Sequence, residues 1–328
     1  MKKLLLLLVI LFTCTLSYSQ GVSIQSQRGS HMDVAYLNQI GVKVLRIQIK
    51  PASRVKRSTV KPETAFNIEL GWALRIVDEC NKVGIKPVIA FNDLTLTDSI
   101  TDEDPIFWTD STYLKNAYRY IMLTARKFGN KVYMYQFLGE PTITGTQVES
   151  FYKEALKIVR QYDTTAYFLV TPGPYGLPTN YGKFVPYNLV DTKLVYNIHM
   201  YLPFPYTHQG LRGAPKGVTY PSSTFNNDTI VKRFKVVSNW SKKYGYPIFL
   251  GEFNAARWST NADAYVQDVI NAAKLYGFEW CYFAFRPDYR FWDAYYDIGN
   301  PTADPKNYYL KYIGPNTKHW LMIQRNLK

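Results

Sequence analysis

The chain has 328 residues, a formal charge of +14 and 47% apolar residues, an ordinary share for a globular protein. Its lysines and arginines are scattered, with no basic run and no nucleic-acid module, so the excess charge reads as a solvated basic surface and nucleic-acid binding is set aside. Aromatic residues make up 16% and include 28 tyrosines; flat amphipathic rings suit sugars, although an aromatic-rich composition with surface tyrosines explains the same number equally well.

Met1-Lys2-Lys3 and the apolar run Leu4 to Phe12 form the two regions of a secretory leader, and Ser17-Tyr18-Ser19 places small residues for cleavage before Gln20. Residues 1–19 are therefore expected to be a signal peptide, and the protein to be exported. The run is too short to span a bilayer. Leu11-Phe12-Thr13-Cys14 is a weak lipoprotein box because of Thr13, so a lipid anchor at Cys14 is the lesser reading. Cys80 and Cys281 lie in apolar contexts. No disulfide framework and no metal-ligand spacing is present.

From Gln20 onward the chain alternates. Strands are expected at Gly21–Ile24, Val44–Ile49, Lys86–Phe91, Val132–Leu138, Ala166–Val170, Leu194–Ile198, Ile248–Leu250 and Phe278–Phe285. Between them, apolar residues recur at helical spacing: Leu70, Leu74, Val77 and Cys80, then Ala117, Ile121, Thr124 and Phe128. A capping box at Thr146-Gln147-Val148-Glu149 opens a helix with Val148, Phe151, Tyr152, Ala155, Val159 and Tyr162 on its buried face. Thr171 to Tyr187 and Tyr201 to Asn227 are loops rich in Gly and Pro. Ile230, Phe234, Val237 and Tyr244, then Ala262, Tyr265, Val269, Ala273 and Tyr276, mark two more helices; the tail from Pro305 reads as helical, interrupted at Pro315. The strand runs are apolar on both faces, as in a parallel sheet covered by helices. Gly21-Val22-Ser23-Ile24-Gln25 carries no dinucleotide fingerprint. Eight units with long loops after the strands predict one closed (β/α)8 TIM barrel over residues 20–328.

In such barrels the working residues stand at strand ends. Glu140 and Glu252 follow the fourth and seventh strands and would face each other across the mouth. Two opposed carboxyls can cleave a glycosidic bond, one protonating the leaving oxygen while the other attacks the anomeric carbon. Arg46 beside Glu252 would keep it ionised, and Tyr201 could donate a hydrogen bond to it. Singly, each residue reads more simply: Glu140 and Glu252 as surface or ion-paired acids, Arg46 as an ion-pair partner, His199 and Trp280 as core, Asn92 as a turn residue. Their joint placement carries the inference. Trp108, Trp258, Phe204, Tyr206 and Trp292 follow strands and are candidate sugar platforms or loop anchors. An esterase is disfavoured, since no Gly-x-Ser-x-Gly elbow is present.

Leu45-Arg46-Ile47-Gln48-Ile49, Tyr135-Gln136-Phe137-Leu138-Gly139-Glu140-Pro141, His199-Met200-Tyr201 and Leu250-Gly251-Glu252-Phe253 occur in the order seen in clan A glycoside hydrolases, and the chain most resembles glycoside hydrolase family 5. The resemblance implies a cofactor-free retaining enzyme on β-glycans, with Glu140 as acid/base and Glu252 as nucleophile. It also implies that Arg46, His199 and Tyr201 position the nucleophile and the sugar, with Asn92, Trp280 and Phe283 as further substrate contacts. Three positions depart from the family pattern. Gly139 stands where an Asn binds the sugar 2-hydroxyl, Asn92 where a His is usual, and Phe283 where a Trp lies beneath the sugar. A weakened barrel that binds glycan without cutting it is the alternative expectation. The basic charge points to anionic glycans among the candidate substrates, and the protein is expected to act as a monomer.

Overall fold

The computed structural model describes residues 19–26, 29–51, 60–91, 94, 100–287 and 317–328. Residues 1–18 of the leader, Asn92, Trp292, Pro305 and Pro315 lie outside these residues. Eight strands, β1 (Gln20–Gln25), β2 (Val44–Ile49), β3 (Lys86–Phe91), β4 (Met134–Gln136), β5 (Tyr167–Val170), β6 (Leu194–Met200), β7 (Ile248–Phe253) and β8 (Glu279–Tyr282), pair in sequence order. All are parallel, and β1 pairs with β8 to close the ring. The expected TIM barrel is the observed fold.

Helices follow most strands: α1 (His31–Gln39), α2 (Pro62–Val83), α3 (Ser111–Phe128), α4 (Thr146–Arg160), α5 (Asn227–Tyr244), α6 (Ala262–Tyr276) and α7 (Lys318–Leu327). Local chemistry sets their ends. Pro62 opens α2 where no N–H is needed, and Gly84 ends it in the left-handed region at φ 75°. Asn226 caps α5 through the Thr229 N–H, and Gly245 ends it at φ 78°. After β5 a 3-10 turn, Pro178–Gly182, takes the place of a full helix and packs against α5. No helix among the described residues is long and apolar enough to cross a membrane.

The structure corrects some local expectations. Thr146 does not cap α4: Gly145 is the N-cap, without a side-chain bond, and Glu149 instead pairs with Lys153 at 2.6 Å. The fourth and eighth strands are shorter than their apolar runs, whereas β6 and β7 run on to Met200 and Phe253.

Side chains alternate between the two faces of the barrel wall. One face joins the helices in the main core, which includes Leu45, Ile47, Ile89, Leu250, Phe253 and Trp280. The other fills the barrel interior, where Val44, Val88, Met134, Leu169, Val195, Phe249 and Cys281 form a separate buried cluster. That apolar plug is the floor on which the site rests.

Candidate active site

Two residues along β2, β4 and β6 from the floor, on the same face, stand Arg46, Gln136 and Asn197, all fully buried. A buried guanidinium is tolerable only when its charge and donors are matched. Arg46 Nε donates to Gln136 Oε1 at 2.8 Å, and Nη1 lies 2.8 Å from Glu252 Oε1 and 3.4 Å from Ser23 Oγ. Gln48 Nε2 reaches the same Glu252 oxygen at 3.4 Å, and the Tyr201 hydroxyl donates to Glu252 Oε2 at 3.1 Å. Both carboxylate oxygens of Glu252 are thus held.

A local irregularity aims this carboxylate. Phe249 points to the floor and Leu250 to the helices, so strict alternation would send Glu252 outward with Leu250. The register with β6 slips there: Ile198 pairs with Leu250, but His199 pairs with Glu252, leaving Gly251 as the extra residue. This bulge turns Glu252 inward beside His199. Asn197 explains the glycine, because a Cβ on Gly251 would stand 2.4 Å from Asn197 Oδ1. That oxygen accepts the Gly251 N–H at 3.1 Å.

The same amide fixes His199. With Asn197 Oδ1 on Gly251, its Nδ2 faces Thr171 Oγ1 at 3.0 Å and His199 Nε2 at 2.9 Å. The Thr171 hydroxyl donates to the Leu138 carbonyl at 3.1 Å, so it accepts from Asn197. His199 Nε2 is then an acceptor, its proton sits on Nδ1, and Nδ1 donates to Glu140 Oε1 at 2.8 Å. A chain of hydrogen bonds therefore links the Gly251 bulge beside one glutamate to the carboxylate of the other.

The electrostatics of the two acids differ. Burial alone would raise the Glu252 carboxyl. The Arg46 guanidinium, with Lys50 and the Tyr201 hydroxyl, outweighs that and holds it below the usual carboxylate range. Burial, and then the Glu252 charge, push Tyr201 well above its ordinary value, so it stays a donor. Glu140 is more open, and its N–H is taken by Asp102 Oδ2 at 3.0 Å. Burial and neighbouring Glu103 push the Asp102 carboxyl well up. Glu140, His199 and Glu252 each offer an atom within 4.8 Å of the others. They suit a metal poorly: the near nitrogen of His199 carries its proton, and Arg46 already supplies the cation beside Glu252.

Of the residues singled out in the sequence, Arg46, Glu140, His199, Tyr201 and Glu252 are brought together. Phe283 joins them at the rim, buried against Tyr201 and Ala284. Trp280 does not. Cys281 faces the interior, so its neighbour points outward, and Trp280 packs edge-on against Phe253 between barrel and helices. It is a core residue. Asn92 lies outside the described residues. Among the candidate platforms, Tyr206 and Trp108 are buried, and the Trp108 indole donates to the Asp102 carbonyl at 2.9 Å. Phe204 keeps an exposed face, stacked on His208 at 4.2 Å. Gln136, Asn197 and Asp102 were not singled out as site residues. Asn197 could have been found by parity, since it stands two residues from His199 in an apolar run, and Gln136 as the one polar residue in its run; Asp102 carries no such signal.

Paired carboxyls over the C-terminal mouth of a (β/α)8 barrel are the working parts of a glycoside hydrolase. Residues 19–288 match the Cellulase family model, glycosyl hydrolase family 5, and the chain belongs to that family. It is 26% identical over 156 residues to Endoglucanase H of Acetivibrio thermocellus, a match covering 44% of this chain and 16% of that protein's length. The fold is similar to Thermotoga maritima Cel5A in complex with cellobiose, with a TM-score of 0.70 and 17% identity over 95% of this chain and 97% of that one. The same enzyme in complex with mannotriose gives a TM-score of 0.68 and 18% identity over 85% and 92%.

Proposed function

We propose that the protein is an exported retaining hydrolase of β-glycans, with Glu252 as nucleophile and Glu140 as acid/base. The observation that carries this reading is the pair itself: an oxygen of each carboxyl lies within 4.8 Å of the other, so the two can flank one glycosidic bond. Glu252, ionised and held by Arg46, Gln48 and Tyr201, attacks the anomeric carbon. Glu140 delivers a proton to the glycosidic oxygen, and the leaving sugar departs with it. Glu140, now a carboxylate, takes a proton from water, whose oxygen attacks the anomeric carbon and releases Glu252. His199 Nδ1–H holds one Glu140 oxygen, leaving the other for the proton in flight.

The relatives include endoglucanases and complexes with cellobiose and mannotriose, which favours β-linked gluco- or manno-configured chains. The charge of +14 keeps anionic glycans in the panel. Incubation with a matching 2-fluoro glycosyl fluoride is expected to leave a covalent adduct on Glu252, and Glu140→Gln to lower turnover by about 10²–10⁴. An adduct on another residue would overturn the assignment. Gly139, whose added Cβ would stand 3.5 Å from the Phe91 carbonyl, lacks the side chain of the family's Asn and favours a second reading, glycan binding without hydrolysis. Binding with no turnover on any glycan of the panel would establish that reading instead.

A further inference from the structure

We propose that Asp102 is a positioning residue for the acid/base, holding Glu140 by its main chain so that the side chain is aimed at the glycosidic oxygen. The proposal rests on the assignment of Glu140 above. Three observations carry it. First, β4 ends at Gln136, so Gly139 and Glu140 lie beyond the last ladder bond of their strand, and Gly139 has no side chain to anchor the segment. Second, the main-chain donors on either side of Pro141 both turn to one residue. The Glu140 N–H reaches Asp102 Oδ2 at 3.0 Å, and the Thr142 N–H reaches the Asp102 carbonyl at 3.4 Å. The Thr142 hydroxyl adds a bond to the Glu103 carbonyl at 3.2 Å. Third, Asp102 is itself fixed: it is buried, the Trp108 indole donates to its carbonyl at 2.9 Å, and Asp104 caps the short helix Pro105–Thr109 through Ile106 N–H at 3.0 Å.

A buried carboxyl is costly unless its hydrogen bonds are made. Here one of them goes to the residue that must transfer a proton. A displacement of Glu140 by about 1 Å, as loss of this clasp allows, is enough to misplace a proton donor. Asp102 touches no sugar in this scheme. It acts through Glu140.

Leaving-group dependence tests the idea, because a dinitrophenyl aglycone departs without protonation and a phenyl aglycone needs it. In the full chain, Asp102→Ala is expected to lower kcat/KM on the phenyl glycoside by about 10–100-fold and on the dinitrophenyl glycoside by less than about 3-fold, as Glu140→Ala does more strongly. Asp102→Asn retains an acceptor oxygen and is expected to restore most of the loss. Equal losses on both substrates would mean a general structural role, and no loss on either would mean no role; each overturns the proposal. The dinitrophenyl arm also shows whether each variant is folded. If Glu140→Ala itself shows no leaving-group dependence, the acid/base assignment fails along with it. If only Asp102→Ala lacks it, the positioning role alone fails.

Discussion

Replacing Arg46 with Met tests the electrostatic core of the site. Arg46 is fully buried, and its Nη1 lies 2.8 Å from Glu252 Oε1. Methionine keeps much of the volume and removes the charge, leaving Glu252 buried with no guanidinium. Breaking one side of a buried pair costs about 3–5 kcal/mol. For 328 residues, an unfolding entropy of about 2.1 cal/mol/K per residue turns this into a fall in Tm of roughly 4–7 °C. The pH dependence is more specific. In the native protein the Glu252 carboxyl is held below its ordinary value, so its contribution to stability is present above the unfolded pKa, about 4.3, and is lost as pH falls through the folded one. Without Arg46 the largest influence opposing burial is gone, and the Glu252 carboxyl rises. The ionised nucleophile, and with it kcat/KM, would then be lost at higher pH than in the native enzyme. Melting curves and kcat/KM profiles over about pH 3–7 read both effects. An unchanged acid limb together with an unchanged Tm would refute the claim that Arg46 sets the charge state of Glu252.

Gly251→Ala puts a methyl 2.4 Å from Asn197 Oδ1, so the amide must turn away from both Gly251 N–H and His199. The expected outcome is a loss of about 2–4 kcal/mol by chemical denaturation, with a fall in kcat larger than any change in KM. Far from the mouth, Arg160 makes a two-point contact with Asp191, at 2.6 and 3.2 Å, and donates to the carbonyls of Asp163 and Ala166. Arg160→Ala should cost about 2–3 kcal/mol in a urea titration while leaving kcat/KM within about twofold.

The barrel was legible because parallel strands buried on both faces leave short apolar runs at a steady interval, and each run here became a strand. Arg46, His199, Tyr201 and Glu252 were legible because each is a polar residue interrupting or ending such a run. What failed was direction. Phe278–Phe285 is apolar on both faces, so nothing in it says that Cys281 points into the barrel and Trp280 away from it. Glu252 was placed correctly at a strand end, yet its inward aim depends on a one-residue slip against β6 that no local pattern announces. The Thr146 capping box met its composition rule and still did not form, because Gly145 took the cap position at φ 83°. Asp102 lies in a loop, where hydrogen-bond partners are set by tertiary contact and not by periodicity.

The closure of the ring has a consequence for how the molecule is made. Gln20 pairs with Trp280, and its side-chain amide donates to the Leu327 carbonyl at 3.0 Å, so one edge of the first strand finds its partners only near the far end of the sequence. Contacts of such long sequence separation are the slowest to form, because the whole intervening chain must be arranged before they are rewarded. During synthesis, β1 and β2 can associate early, but the edge of β1 that β8 will cover stays open until β8 has emerged from the ribosome. A growing chain therefore exposes an unpaired strand edge for most of its translation, and the completed barrel has none on this seam.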